Sequence, residues 1–141
     1  MGKSKIVKFK KLSPLAKPFS YTRGKDACMD MYALENVYVT PSETVLVKTG
    51  IAVEIPEGYE GIVRGRGGLA LNGISIHVGT VEEEYRGDIG IILTNTNPWA
   101  YTVEAGTRVA QFTIKPVTRI KLEEIDILST TERGDGAYGS S

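Results

Sequence analysis

Residues 43–56 read ETVLVKTGIAVEIP, a run of β-branched side chains broken by one glycine and closed by a proline. Val, Ile and Thr are stiff at χ1 and pack well on a pleated surface, whereas Pro cannot donate to a ladder, so the run predicts a strand that stops at Pro56. The same grammar continues in both directions. Upstream lie IVKFKKL (6–12), MDMYAL (29–34) and NVYVT (36–40); downstream lie EGIVRGR (60–66), ISIHVGTV (74–81), DIGIILTN (88–95), AYTV (100–103), RVAQFTIKPV (108–117) and LEEIDI (122–127). These are ten candidate strands separated by Gly, Pro, Asn and Ser. Helix-period patterning of useful length is absent, and the one short helix expected is near Leu69, Ala70 and Leu71, just after a glycine cluster. The class is all-β, a sandwich, barrel or jelly roll whose edges must be covered or shared with another subunit.

The chain has 141 residues, 41% of them hydrophobic, which is enough for one domain with a real core. Lys+Arg 17 balance Asp+Glu 17. A neutral chain has no broad field to draw in nucleic acid or an anionic membrane, so no nucleic-acid or membrane partner is expected. Cys28 is the only cysteine and His77 the only histidine, which rules out an internal disulfide and a Cys/His zinc cluster. Both are assigned to packing. The basic start, MGKSKIVKFKKL, holds no apolar run of signal-peptide length, and no stretch approaches the ~20 apolar residues of a membrane span. The expected location is the cytoplasm, or a host's cytoplasm if the source is viral. Glycine is the unusual component: of 16, nine lie between Gly58 and Gly90 and three more in the last eight residues.

Those glycines sit beside chemistry-bearing side chains. In RGRGGLA (64–70) consecutive glycines let backbone N–H groups approach an anion closely at the start of the expected helix, a place for a phosphate. The spacing matches neither a P-loop nor a dinucleotide fingerprint. In GTVEEEYRGD (79–88), strand alternation that turns Val81 to the core turns Glu82 the other way, where a carboxylate could orient and deprotonate water; Tyr85 follows, placed to pack on a sugar or base. Asp30, in MDM, reads either as a hydrogen-bonded turn acid or as an outer-sphere magnesium contact. The tail STTERGDGAYGSS (129–141) is too polar to pack as a strand and is expected to be mobile, while Arg133 and Tyr138 among its glycines offer a cation and a stacking ring.

Taken in order, ACMDMYA (27–33), GRGGLA (65–70), GTVEEEYRG (79–87), GTRVAQ (106–111) and RGDGAYGSS (133–141) resemble the five ordered motifs of the trimeric dUTPase family, with PEGYEG (56–61) extending the likeness. The resemblance implies a distorted jelly-roll β-barrel over residues 1–128 and a flexible C-terminal lid over residues 129–141. It implies a homotrimer with active sites shared between subunits, hydrolysing dUTP to dUMP and pyrophosphate with Mg2+. Its implied catalytic residues are Glu82, Asp30 and Arg66. The implied substrate contacts are Gly67, Gly68 and Gln111 around the phosphates; Gly79, Val81 and Tyr85 in a hairpin that receives uracil through its backbone; and Arg133, Gly136, Tyr138 and Ser140 in the lid. No direct metal ligand is implied, Asp30 reaching Mg2+ through water. The family carries an aspartate where this chain has Glu82 and a serine where it has Gly67. The alternative function is therefore a catalytically weak nucleotide-binding protein of the same fold.

Overall fold

The computed structural model describes residues 5–139. In chain order the elements are β1 (Lys8–Lys11), β2 (Met29–Tyr32), β3 (Val37–Val39), β4 (Thr44–Val47), β5 (Ile51–Glu54), β6 (Tyr59–Arg64), α1 (Gly67–Leu71), β7 (Ile74–Ile76), β8 (Gly79–Val81), β9 (Ile91–Asn95), β10 (Tyr101–Val103) and β11 (Arg108–Pro116). Every pairing is antiparallel, in four small sheets ordered β1-β5, β10-β3, β2-β11-β6-β8 and β4-β9-β7. The architecture is all-β and jelly-roll-like. Alternating residues from these strands, among them Met31, Val47, Ile51, Ile91, Leu93 and Val103, close one apolar core.

The run at 43–56 is two strands rather than one. Gly50 takes φ +72, a left-handed conformation that ends β4 and starts β5, and a Cβ there would come 2.8 Å from that of Ala16. The Asp88 carboxylate clamps this corner by accepting from the backbone N–H of Thr49 (3.2 Å) and of Gly50 (2.6 Å). The run at 74–81 is likewise divided, into β7 and β8, with His77 and Val78 between them. The expected strand at residues 122–127 is not formed. Leu122, Ile125 and Ile127 are exposed, and no neighbouring strand offers them a ladder, so an alternating pattern alone has nothing to pair with. Residues 117–139 contain no strand or helix. The expected helix is present as α1, little more than one turn.

The central feature for function is the four-stranded sheet. Across it Asp30 on β2 pairs with Gln111 on β11, and Gln111 pairs in turn with Arg64 on β6. Directly opposed residues of antiparallel strands share a face. Val63 and Phe112 face the core, so the row Asp30, Gln111, Arg64 faces outward. On the other side of β6, β8 opposes Gly79 to Val63 and Val81 to Gly61.

Candidate active site

Asp30 is 8% exposed, and a carboxylate that far from water is stable only with partners. It has three. Arg66 Nε lies 3.7 Å from one oxygen and Arg108 Nη1 3.6 Å from the other, while the Thr22 hydroxyl donates to that second oxygen. Arg108 also donates to Thr22 Oγ1 (3.3 Å) and Arg66 to the Arg108 carbonyl (3.5 Å), so the cluster is cross-braced. Among the described residues these two ion pairs are the only ones, in a chain that carries 17 cations and 17 anions. Gln111 donates its amide to the Gly65 carbonyl at 2.9 Å, tying β11 to the loop ahead of α1.

These residues line an open cleft of about 610 Å3 that also takes in Arg23, Asp26, Cys28, Arg64, Gly67 and Gly68. Four guanidinium side chains face two carboxylates there, an excess of positive charge fitted to a phosphate chain. Gly67 and Gly68 open α1, whose Arg66 cap residue makes no side-chain capping bond, and a Cβ on Gly67 would meet nothing within 4 Å. Among the described residues no three His, Cys, Asp or Glu side chains converge on a metal position. Mg2+ keeps several waters and takes one or two carboxylates together with substrate phosphates, and Asp26 and Asp30 at the cleft wall fit a hydrated ion carried in by a nucleotide.

The expected hairpin forms elsewhere. After Val81, whose side chain is in the core and leaves only its backbone for a ligand, the chain runs toward the Tyr59 end of β6, away from Arg64. Glu83 Oε1 there accepts from the Gly58 N–H at 2.5 Å. Arg86 donates to the carbonyls of Glu83 (2.7 Å) and Tyr85 (3.1 Å), and the Tyr85 hydroxyl donates to the Asp88 carbonyl at 2.7 Å. The Tyr85 phenol rests on Gly87, where a Cβ would come within 2.6 Å of Oη. Glu82 is exposed, with no hydrogen bond or ion pair to its carboxylate among the described residues. At about 3.3 Å per residue along β6, Glu82 stands roughly 15–20 Å from Arg66. Within one chain, Asp30, Arg66, Gly67, Gly68 and Gln111 come together, and Gly79, opposite Val63, stands beside their Arg64 wall, whereas Val81, Glu82 and Tyr85 lie further along toward the Tyr59 end of β6.

The lid residues form a third. Arg133 Nε donates to the Gly136 carbonyl (2.7 Å) and the Gly136 N–H to the Arg133 carbonyl (3.2 Å), a turn closed on itself; Tyr138 is fully exposed. Ser140 lies outside the described residues. Thr22 stands in no motif of the sequence, and Arg64 and Arg108, though part of RGRGGLA and GTRVAQ, have no role assigned to them there. The guanidinium of Arg108 in GTRVAQ was visible, but its Asp30 partner depends on a cross-strand pairing that no linear pattern displays.

A family model for dUTPase matches residues 16–141, most of the chain. The chain belongs to the dUTPase family. It is 42% identical over 138 residues to a deoxyuridine 5'-triphosphate nucleotidohydrolase of Alkaliphilus metalliredigens, covering 96% of each chain, and 41% identical to that of Clostridium tetani, covering 96% of this chain and 95% of the other. Among solved structures, the dUTPase of Staphylococcus bacteriophage 80alpha with dUpNHpp superposes with a TM-score of 0.91 at 28% identity, over 98% of this chain and 99% of that one. No helix among the described residues is long and apolar enough to cross a membrane.

Proposed function

We propose that the protein hydrolyses dUTP to dUMP and pyrophosphate by attack of water on the α-phosphate, in the cytoplasm of its own or a host cell. Such a reaction limits uracil incorporation into DNA and supplies dUMP. The observation that carries this reading is the cation-rich cleft around a braced Asp30, in a chain whose residues 16–141 match the dUTPase family model. Arg66, Gly67, Gly68 and Gln111 hold the phosphates; guanidinium forks and backbone N–H groups are placed before the reaction begins, so no reorganisation is needed as charge develops. Asp30 keeps Arg66 and Arg108 in place and would hold a hydrated Mg2+ through water. The ion, when bound, neutralises phosphate oxygens.

Glu82 is the general base in this reading, and its distance from the cleft of its own chain supports an active site shared between copies. A neighbouring subunit brings its hairpin, with Glu82 to orient and deprotonate water, Tyr85 against the deoxyribose, and the backbone at Gly79 and Val81 for uracil. Each cleft in a homotrimer is completed once by this arrangement. The tail closes over the nucleotide, Tyr138 stacking on uracil and Arg133, Gly136 and Ser140 reaching the phosphate end, which excludes all water but the attacking one. Binding without turnover, the alternative, draws no support from relatives that are named as hydrolases.

Pyrophosphate release from dUTP, with dTTP, dCTP and UTP as controls, tests the reading. Release from dUTP alone is expected; tight binding of dUTP with no release would replace the enzyme by a nucleotide sensor.

A further inference from the structure

We infer that Arg64 is a substrate-binding residue that reads the phosphate chain of the nucleotide and so selects triphosphate over monophosphate. It stands third in the outward-facing row across β2, β11 and β6, after Asp30 and Gln111. Adjacent strands are about 4.8 Å apart, which puts the Arg64 backbone roughly 10 Å from that of Asp30, at the opposite wall of the same cleft. Arg66 and Arg108 each make an ion pair with Asp30 through one nitrogen. Arg64 is half-buried and its guanidinium has no hydrogen-bond or ion-pair partner among the described residues.

A guanidinium taken partly out of water and left unpaired stores an interaction that a ligand can supply, and the ligand must be anionic. A planar fork at the cleft wall suits phosphate oxygens, which accept two parallel N–H bonds. Arg64 therefore adds a cation that is free to bind substrate where Arg66 and Arg108 are held in place by Asp30. The fork is assigned to the terminal phosphates, which dUMP lacks, so its contribution is nearly absent for dUMP. That difference helps the monophosphate product leave a cleft that holds the triphosphate.

The inference rests on dUTP being the substrate. The test compares wild type with Arg64→Gln and Arg64→Lys, measuring steady-state kinetics on dUTP and equilibrium binding of dUpNHpp, dUMP and inorganic tripolyphosphate. Arg64→Gln is expected to raise KM and the dissociation constant of dUpNHpp about tenfold or more, as for loss of a charge-assisted hydrogen bond, and to lower kcat by a smaller factor. Affinity for dUMP should change less than twofold, and Arg64→Lys should recover part of the loss as a point charge without the fork. Unchanged dUpNHpp affinity in a variant with wild-type melting temperature would overturn the inference, as would an equal loss for dUMP. Were wild type to release no pyrophosphate from dUTP, the functional reading would fail by itself. Tripolyphosphate would still report on Arg64, weaker binding to Arg64→Gln supporting a phosphate site and equal binding contradicting it.

Discussion

The cleft around Asp30 and the hairpin around Glu82 share strand β6 and are built on opposite plans. In the cleft, charged groups are paired with one another: Asp30 is buried between Arg66 and Arg108 and takes a hydrogen bond from Thr22. In the hairpin the framework is tied down by Glu83, Arg86 and the Tyr85 hydroxyl, but the Glu82 carboxylate has no hydrogen-bond or ion-pair partner among the described residues. The first plan fixes binding groups before substrate arrives. The second fixes a backbone and leaves its carboxylate available for a target on another molecule. Among the described residues no hydrogen bond or ion pair links Glu82 to the Asp30 cleft, and this separation is what makes a shared site the economical reading.

Substitutions at the two places should differ in kind as well as in size. Asp30→Asn removes the charge that two guanidiniums converge on, and turnover of dUTP is expected to fall by about 10³-fold, since the cations that hold the phosphates lose their positions. Stability should fall with it, by about 2–3 kcal/mol, less than for a fully buried pair because the guanidiniums are partly exposed. A melting curve and steady-state kinetics read both. Deleting residues 133–141 should reduce turnover by about 10²-fold or more through loss of the lid, with melting temperature and assembly unchanged. Normal kinetics after that deletion would remove the tail from the site.

Glu82→Gln sharpens the contrast. General-base loss lowers kcat by about 10²–10⁴-fold, while KM and melting temperature stay put because the exposed carboxylate makes no hydrogen bond or ion pair among the described residues. Glu83→Gln should leave kcat within a few fold, since its carboxylate serves the Gly58 N–H and an amide oxygen accepts the same bond. If the two variants exchanged their effects, the base would be Glu83. The smallest effect belongs to Gly67→Ser. Open space at this position accommodates the side chain without strain, and the hydroxyl is expected to lower KM for dUTP by a few fold through one added phosphate contact. Titration of a dUTP analogue measures it.

The strand-rich class and the ordered motifs are legible in the sequence. β-branched runs and their Gly and Pro punctuation gave the class, and the motif order placed Asp30, Arg66 and Gln111 around one ligand. What could not be read depends on cross-strand register. Arg64 becomes a cleft residue only because it opposes Gln111, which opposes Asp30, and Arg108 becomes Asp30's partner only when β11 lies beside β2. Thr22 belongs to a loop with no pattern of its own. The segment at 122–127 shows the reverse error: its alternation is genuine, but alternation describes one strand and a ladder needs two. Asp88, to which the sequence assigns no role, fixes the corner at Gly50.

A site divided between chains predicts a recovery that a self-contained site forbids. Asp30→Asn spoils the cleft and Glu82→Gln spoils the hairpin, each alone inactivating the enzyme. Co-expressing the two variants mixes subunits within one assembly, and a cleft from a Glu82→Gln chain then meets a hairpin from an Asp30→Asn chain in about a quarter of the sites of a cyclic oligomer. Turnover restored to about a quarter of wild type is the predicted result. Mixed assemblies as inactive as either variant alone would show that cleft and hairpin serve each other within a single chain, and would contradict the account.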